Sequence, residues 1–77
     1  MIEAFVLIQT DIGKPSQVAV ALADIPGVTH ASVVTGPYDV VARVQAADVN
    51  ALGKLTVGAI QGVDGVTRTL TCPIIHL

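Results

Sequence analysis

The sequence predicts an α+β fold whose elements follow one another as β-α-β-β-α-β. First, β-forming segments at both ends of the 77-residue chain enclose two segments whose apolar residues recur at helical spacing. Second, a Gly-Pro turn at positions 36 and 37 joins two more β-forming segments as a hairpin. Third, the run Pro26-Gly27-Val28-Thr29 is echoed by Asp64-Gly65-Val66-Thr67, each time where a helix is expected to give way to a strand. The chain therefore reads as two related β-α-β halves.

The first half begins with a strand predicted from Ile2 to Ile8. Strand alternation places Phe5 and Leu7 on one face and the even-numbered apolar residues on the other, so both faces are apolar. The first helix begins near Pro15, a residue that the first helical turn tolerates, and ends at the Pro-Gly pair that follows Ile25.

A hairpin joins the two halves, and its strands are predicted over residues 28–35 and 38–46. Asp48 is a suitable N-cap for the second helix. Gly53 and Gly58 each destabilise that helix by about 1 kcal/mol, so we expect them to allow close packing against a neighbour. The closing segment, residues 66–77, is rich in Thr and β-branched residues and predicts the fourth strand.

This order of elements is that of the ferredoxin-like fold, a four-stranded antiparallel sheet with two helices on one face. Because strand positions of either parity are mostly aliphatic or Thr, the other face is expected to be apolar and to pack on the same face of a second chain. The composition agrees, with 52% apolar and 13% charged residues. The single cysteine, Cys72, excludes an internal disulfide, so a homodimer is the expected source of extra stability.

Composition also argues against several classes of function. A net charge of −2, with only four Lys and Arg residues, is too little positive charge for direct nucleic-acid binding. The longest apolar run, Val18 to Ala23, is far too short to span a bilayer, and the chain does not begin as a signal peptide does. We therefore expect a cytoplasmic protein that does not enter membranes.

Catalytic and metal-binding residues are scarce. His30 and His76 are the only histidines, and no Cys/His cluster has the spacing of a metal site, so we expect no catalytic residue, no metal and no cofactor. Polar groups concentrate instead at the hairpin tip and on the last strand. A Gly turn exposes backbone groups, Asp39 can pair with an ammonium group, and Thr hydroxyls can bind a carboxylate. The same residue types are also common in hairpin turns and strands that bind no ligand.

Three runs carry a resemblance to a known family: TGPYDVVARV, AADVNALGKL and GVTRTLTCPII. They resemble the effector-binding domain of the Lrp/AsnC (feast/famine) regulators over essentially the whole chain. The resemblance implies a homodimer joined through its sheets, assembly into an octamer or decamer, and amino-acid effectors bound between dimers. It implies the effector-binding residues Gly36, Tyr38 and Asp39 from one dimer, with Thr69 and Thr71 across the interface and Arg68 beside them.

The resemblance has one large departure. Members of this family ordinarily carry an N-terminal helix-turn-helix domain, whereas Met1 lies one residue before the first predicted strand. We therefore expect residues 1–77 to be a stand-alone ligand-binding and oligomerisation domain, acting through full-length Lrp/AsnC regulators rather than by binding DNA. Two alternatives stay open at this point: a purely structural oligomerisation module, and a small dimeric ferredoxin-like enzyme.

Overall fold

A computed structural model describes all 77 residues. The elements are β1 (Ile2–Thr10), α1 (Pro15–Ala23), β2 (Val28–Val33), β3 (Val40–Ala46), α2 (Val49–Gly53), a π-helix (Lys54–Ile60) that continues α2, and β4 (Val66–Pro73). The strands form one sheet in the order β2-β3-β1-β4, and every neighbouring pair is antiparallel. The predicted ferredoxin-like order is confirmed. No helix in the chain combines the length and the apolar character needed to cross a bilayer.

The hydrophobic core lies between the helices and one face of the sheet. Alternation along β1 buries Ala4, Val6 and Ile8 completely, whereas Phe5 on the opposite face is 39% exposed. The central strand β3 contributes in the same way. The core consists of residues from both central strands and both helical segments: Ala4, Val6, Ile8, Val18, Leu22, Val40, Ala42, Val44, Leu52 and Ile60.

The predicted helix boundaries depend on three local features that the structure contains. Asp48 caps α2, because its carboxylate accepts the Ala51 N–H at 2.8 Å. Gly27 and Gly65 adopt φ of +99° and +97° where the chain turns from a helix into β2 and β4. At Gly27 a Cβ atom would lie 3.0 Å from Leu55 Cδ2, so this turn also needs the close approach that only glycine allows.

The second helix is not regular, contrary to the prediction. Beyond Gly53 it widens into the π-helix, in which the Gln61 N–H donates to the Thr56 carbonyl five residues earlier at 3.0 Å. The buried Thr56 hydroxyl donates to the Leu52 and Gly53 carbonyls at 3.1 and 3.2 Å, and so competes for acceptors that a regular helix needs. No atom lies within 4 Å of a Cβ built at Gly53 or Gly58, so the close packing expected of these glycines is absent within the chain.

The fourth strand is shorter than predicted. β4 ends at Pro73 rather than at Leu77. The Ile74 N–H still donates to the Glu3 carbonyl at 2.8 Å, but β1 begins at Ile2, so in this antiparallel register the last two residues of the chain have no strand partner. β3 likewise begins at Val40, which leaves Tyr38 and Asp39 in the connection from β2.

The sheet face away from the helices, here called the open face, is less apolar than predicted. Its centre is apolar, formed by Phe5, Leu7, Val41, Leu70 and Cys72, but polar side chains lie around that centre. The reason is parity: the polar residues of the two central strands, Glu3, Gln9, Arg43 and Gln45, all share the face of Phe5 and Val41.

One ion pair lies among the polar groups of the open face. Arg43 Nη2 donates to Glu3 Oε2 at 2.8 Å, and the guanidinium lies 5.7 Å from the centroid of the Phe5 ring. The hydrogen bond and positive charge of Arg43 lower the pKa of Glu3 from its ordinary value, with a smaller contribution from His76.

Candidate functional site

The β2–β3 connection is fastened to the end of β1. The Asp39 N–H donates to the Ile8 carbonyl at 2.9 Å, and Asp39 Oδ2 accepts the Thr10 N–H at 2.8 Å. The Gln9 side chain adds a third link, since Nε2 donates to the Pro37 carbonyl at 3.0 Å. The predicted residues Gly36, Tyr38 and Asp39 therefore lie together at one end of the sheet, in a loop with a fixed backbone.

The hydrogen bonds of the Asp39 side chain all use one oxygen. Oδ2 accepts from the Thr10 N–H and, at 3.4 Å, from the Thr10 hydroxyl. Oδ1 has no donor within the chain, so it is free to accept a hydrogen bond from a ligand. Asp39 thus has a structural role that the sequence did not indicate, since Oδ2 holds Thr10. Its other oxygen, Oδ1, can still accept a hydrogen bond from an ammonium group, as the sequence suggested.

The predicted residues on β4 do not share one face of the sheet. Arg68 pairs with Gln9, whereas Thr69 and Thr71 pair with Ile8 and Val6. Alternation therefore turns Arg68 toward the open face and the two threonines toward the helices. The residues that the resemblance implies at one effector site thus belong to two faces of β4.

The two predicted clusters are also separated by β1. Asp39 contacts the Ile8 carbonyl from the β3 side, and Thr69 pairs with Ile8 from the β4 side. Two strand spacings amount to about 10 Å. Asp39 and Thr69 thus lie on opposite sides of β1, with one strand between them. Within one chain the six predicted residues form two half-sites.

A recess of about 350 Å³ lies along the outer edge of β4, and it forms the second half-site. We call it the β4 recess; its lining residues are Gln61, Val66, Thr67, Arg68 and Thr69. Gln61 Nε2 donates to Thr69 Oγ1 at 2.9 Å, which ties the end of the π-helix to β4. Thr71 does not line the recess.

Sequence reasoning missed Gln61 and Thr67. Gln61 is placed by the π-helix that ends beside it, and the apolar spacing of the segment does not distinguish such a helix from an α-helix. Thr67 is placed by a β-bulge, because Gln9 pairs with Arg68 while Thr10 pairs with Val66. Its position between Val66 and Arg68 in the GVTRTLT run was the only available signal.

A second, shallower depression of about 570 Å³ lies on the outer side of α2 and the π-helix, lined by Asn50, Gly53, Lys54, Val57 and Gly58. It contains none of the predicted residues. Its lining has one charged side chain and two glycines without neighbours, so it offers few groups that could fix a polar ligand.

Comparison with known proteins identifies the family. Residues 3–76 match the Lrp/AsnC ligand binding domain. The chain belongs to the Lrp/AsnC family. A helix-turn-helix-type transcriptional regulator of Pyrococcus furiosus is 35% identical over 71 residues, which cover 88% of this Lrp/AsnC chain and 47% of the regulator. The chain thus spans about half the length of the curated relatives it matches.

Solved structures agree with this assignment. The Thermus thermophilus protein TTHA0845 is 38% identical and superposes with a TM-score of 0.92. The superposition covers 100% of this Lrp/AsnC domain and 96% of TTHA0845. A transcriptional regulator of Neisseria meningitidis, solved in complex with L-Met, has a TM-score of 0.85 over 97% of this chain and 50% of its own, at 17% identity. That identity is low, and the likeness shows the shared fold alone.

Proposed function

We propose that this Lrp/AsnC domain is an amino-acid-responsive regulatory module that works as an oligomer and binds its effector between dimers. The observation that carries the proposal is that the predicted residues form two groups on opposite sides of β1, one in the β2–β3 connection and one on β4. On this proposal, a complete amino-acid site combines the β2–β3 connection of one dimer with the β4 recess of another. Gly36, Tyr38 and Asp39 would come from one side, and Arg68 and Thr69 from the other, with Thr71 supporting β4.

The proposed dimer forms through the open face. An apolar centre surrounded by polar groups is the anatomy of a protein–protein interface. Phe5 on a central strand and Leu70 on the edge strand β4 are 39% and 48% exposed there, so large apolar side chains remain accessible to a partner. A two-fold axis through this face would cover both copies at once. The β2–β3 connection and the β4 threonines lie at the end and edge of the sheet, outside the open face, and so stay available for contact between dimers, up to an octamer or decamer; Arg68 lies on the open face itself.

We further propose that the module acts on transcription indirectly, in the cytoplasm. Its relative in Pyrococcus furiosus is by name a transcriptional regulator, and this chain matches about half of it. Four Lys and Arg residues against six Asp and Glu leave little charge for DNA phosphates. Assembly with full-length Lrp/AsnC regulators would supply the DNA contact, and no catalytic step is required of this domain.

A thermal-shift screen of the twenty amino acids, at millimolar concentration and on the native assembly, tests the proposal. A ligand that binds only the folded assembly stabilises it by about 2.7 kcal/mol when its concentration is 100 times its dissociation constant. We expect one or a few related amino acids to raise the melting temperature in a saturable manner. If none does, the sensing function is wrong.

The dimer has a separate test with a matched control. Leu70→Glu places a charge at the centre of the open face, and we expect sedimentation to show dissociation. Val57→Glu makes the same change at a side chain that is 65% exposed on the π-helix, and should leave the assembly intact. A wild-type chain that sediments as a stable 7.9 kDa monomer would contradict the dimer.

The competing function is an oligomerisation module that binds no ligand. It is favoured by the hydrogen bonds that Asp39 and Thr69 already make within the chain. Such a module would dissociate through Leu70→Glu in the same way, but would show no amino-acid response. The screen therefore separates the two functions.

A further inference from the structure

We infer that His30 makes the open-face dimer sensitive to pH, because a protonated imidazole on that face opposes the packing of a second chain. The inference rests on the proposed dimer and goes beyond it, since a dimer of this kind needs no titrating group at its interface. The sequence assigned no function to His30.

The register of β2 places His30 on the open face. His30 pairs with Arg43 and Ser32 pairs with Val41, and paired residues of antiparallel strands point to the same side of a sheet. In the single chain His30 is exposed, and it takes part in neither of the two ion pairs. Its imidazole is therefore solvated until a partner covers it.

His30 forms one wall of a hollow of about 420 Å³ beside the apolar centre of the open face. The hollow shares Phe5 and Val41 with that centre, so a second chain that packs on the centre also covers the hollow. Burial penalises the charged form of a histidine, because the imidazolium loses its hydration. The lining residues are Phe5, His30, Ser32, Val34, Val41 and Arg43.

The charged neighbours of His30 do not compensate an imidazolium. Arg43, directly opposite on β3, carries the same charge, and like charges at paired strand positions repel. Glu3 lies two strands away on β1, at about 10 Å, and its Oε2 already accepts from Arg43. The helix α1 packs on the other face of β2 and contains no titratable residue, and Asp24 follows it on that side. A proton on His30 thus meets a positive charge and no carboxylate in the hollow.

The direction of the pH effect follows from counting protons. Histidine is the side chain that ordinarily titrates between pH 5 and 8. A dimer that excludes the proton binds fewer protons than two separate chains. Dissociation is then favoured as the pH falls through the ordinary histidine pKa of about 6.5, and the dimer keeps its full stability above that pH. With one His30 in each chain and complete exclusion, the dissociation constant rises about 100-fold between pH 7.5 and 5.5.

Glu3 and His76 make this effect separable from others. The hydrogen bond and charge of Arg43 lower the pKa of Glu3, so Glu3 stays ionised and paired with Arg43 over this pH range. His76 contributes to the lowered pKa of Glu3, so a proton on His76 faces a carboxylate and not a like charge. The two histidines of the chain therefore respond differently to protonation, and His76 provides the matched control.

The test is a dilution series of the full chain without amino acids, followed by sedimentation at pH 7.5, 6.5 and 5.5 and constant ionic strength. The proteins are the wild type, His30→Gln and His76→Gln, because glutamine is polar and cannot be protonated. We expect the dissociation constant of the wild-type dimer to rise about tenfold or more, with a ceiling of about 100-fold. The constant of His30→Gln should stay within about twofold, and that of His76→Gln should rise as in the wild type.

The outcomes separate this inference from the proposed dimer. A wild-type dissociation constant that changes by less than about twofold overturns the inference and leaves the dimer in place. A chain that is monomeric at all three pH values overturns both. The full pH effect retained in His30→Gln, or lost only in His76→Gln, also overturns the inference. Circular dichroism of each sample distinguishes dissociation from unfolding, and unfolding at pH 5.5 in both the wild type and His30→Gln would overturn it as well.

Discussion

Asp39 has one task that the structure contains and a second that we propose. Its Oδ2 accepts the Thr10 N–H at 2.8 Å, and its Oδ1 is free for the ammonium group of an effector. Two substitutions separate these tasks. Asp39→Ala removes the acceptor and the charge together, whereas Asp39→Asn keeps a carbonyl oxygen that can accept from Thr10 but removes the negative charge.

The expected loss of stability follows from the Thr10 hydrogen bond. In Asp39→Ala the part-buried Thr10 N–H loses its partner, which costs about 1–3 kcal/mol in the free energy of unfolding. For a domain of this size each kcal/mol lowers the melting temperature by about 4–8 °C. Asp39→Asn keeps a neutral version of the bond, so its loss should stay within about 1 kcal/mol. Both variants should lose the amino-acid response, because neither can pair with an ammonium group.

The assay is urea unfolding, followed by the thermal-shift measurement with and without the amino acid. Protein concentration must be held fixed, because oligomerisation couples stability to concentration. Asp24→Ala is the matched control: Asp24 is exposed at the end of α1, where a negative charge brings no benefit, and its side chain makes no hydrogen bond or ion pair. Asp39→Ala as stable as Asp24→Ala would refute the structural reasoning, and a full response in Asp39→Asn would refute the ammonium role.

Two further predictions concern stability. Gly27→Ala should destabilise the chain more than Gly13→Ala. Both glycines have positive φ, which costs a non-glycine residue roughly 1–2 kcal/mol. Only at Gly27 would the new Cβ also crowd Leu55, which adds about 1–3 kcal/mol. Equal losses in urea unfolding would contradict this. Glu3→Gln should lower the melting temperature at pH 7, because the folded state lowers the Glu3 pKa and so favours the ionised form. The difference in melting temperature between Glu3→Gln and the wild type should shrink as the pH falls below the ordinary glutamate pKa of about 4.3, and vanish below the lowered pKa of Glu3. A difference that does not depend on pH would exclude the ion pair with Arg43 as its cause.

The parts of the fold that the sequence predicted are those fixed by short-range chemistry. Asp48 caps a helix through an N–H three residues away, and Gly27 turns the chain through its own φ angle. Alternation in β1 likewise depends only on neighbouring residues. Each of these features could be derived without knowing what the segment would contact.

The parts that were missed depend on partners distant in sequence. The last two residues of the predicted fourth strand lie beyond the start of β1 in the antiparallel register, which cannot be derived from β4 alone. The π-helix contains the buried Thr56 hydroxyl, which donates to carbonyls of the preceding turn, and the bulge at Thr67 depends on the register with β1. The opposite orientation of Arg68 and Thr69 follows from the strand period, whereas the resemblance implies only that both act at one site.

The position of β1 links effector binding to assembly. The two half-sites are attached to the same end of this strand: Thr10 donates to Asp39, and Gln9 pairs with Arg68. β1 lies between β3 and β4 in the sheet order, so the two half-sites are attached to opposite sides of one strand. On the proposed function, an effector that uses one half-site from each of two dimers bridges two chains. By mass action it then stabilises the contact between dimers and leaves the open-face contact within each dimer unaffected. On the proposed function, the regulatory signal is a change in the size of the assembly, and a change in the shape of one chain is not required.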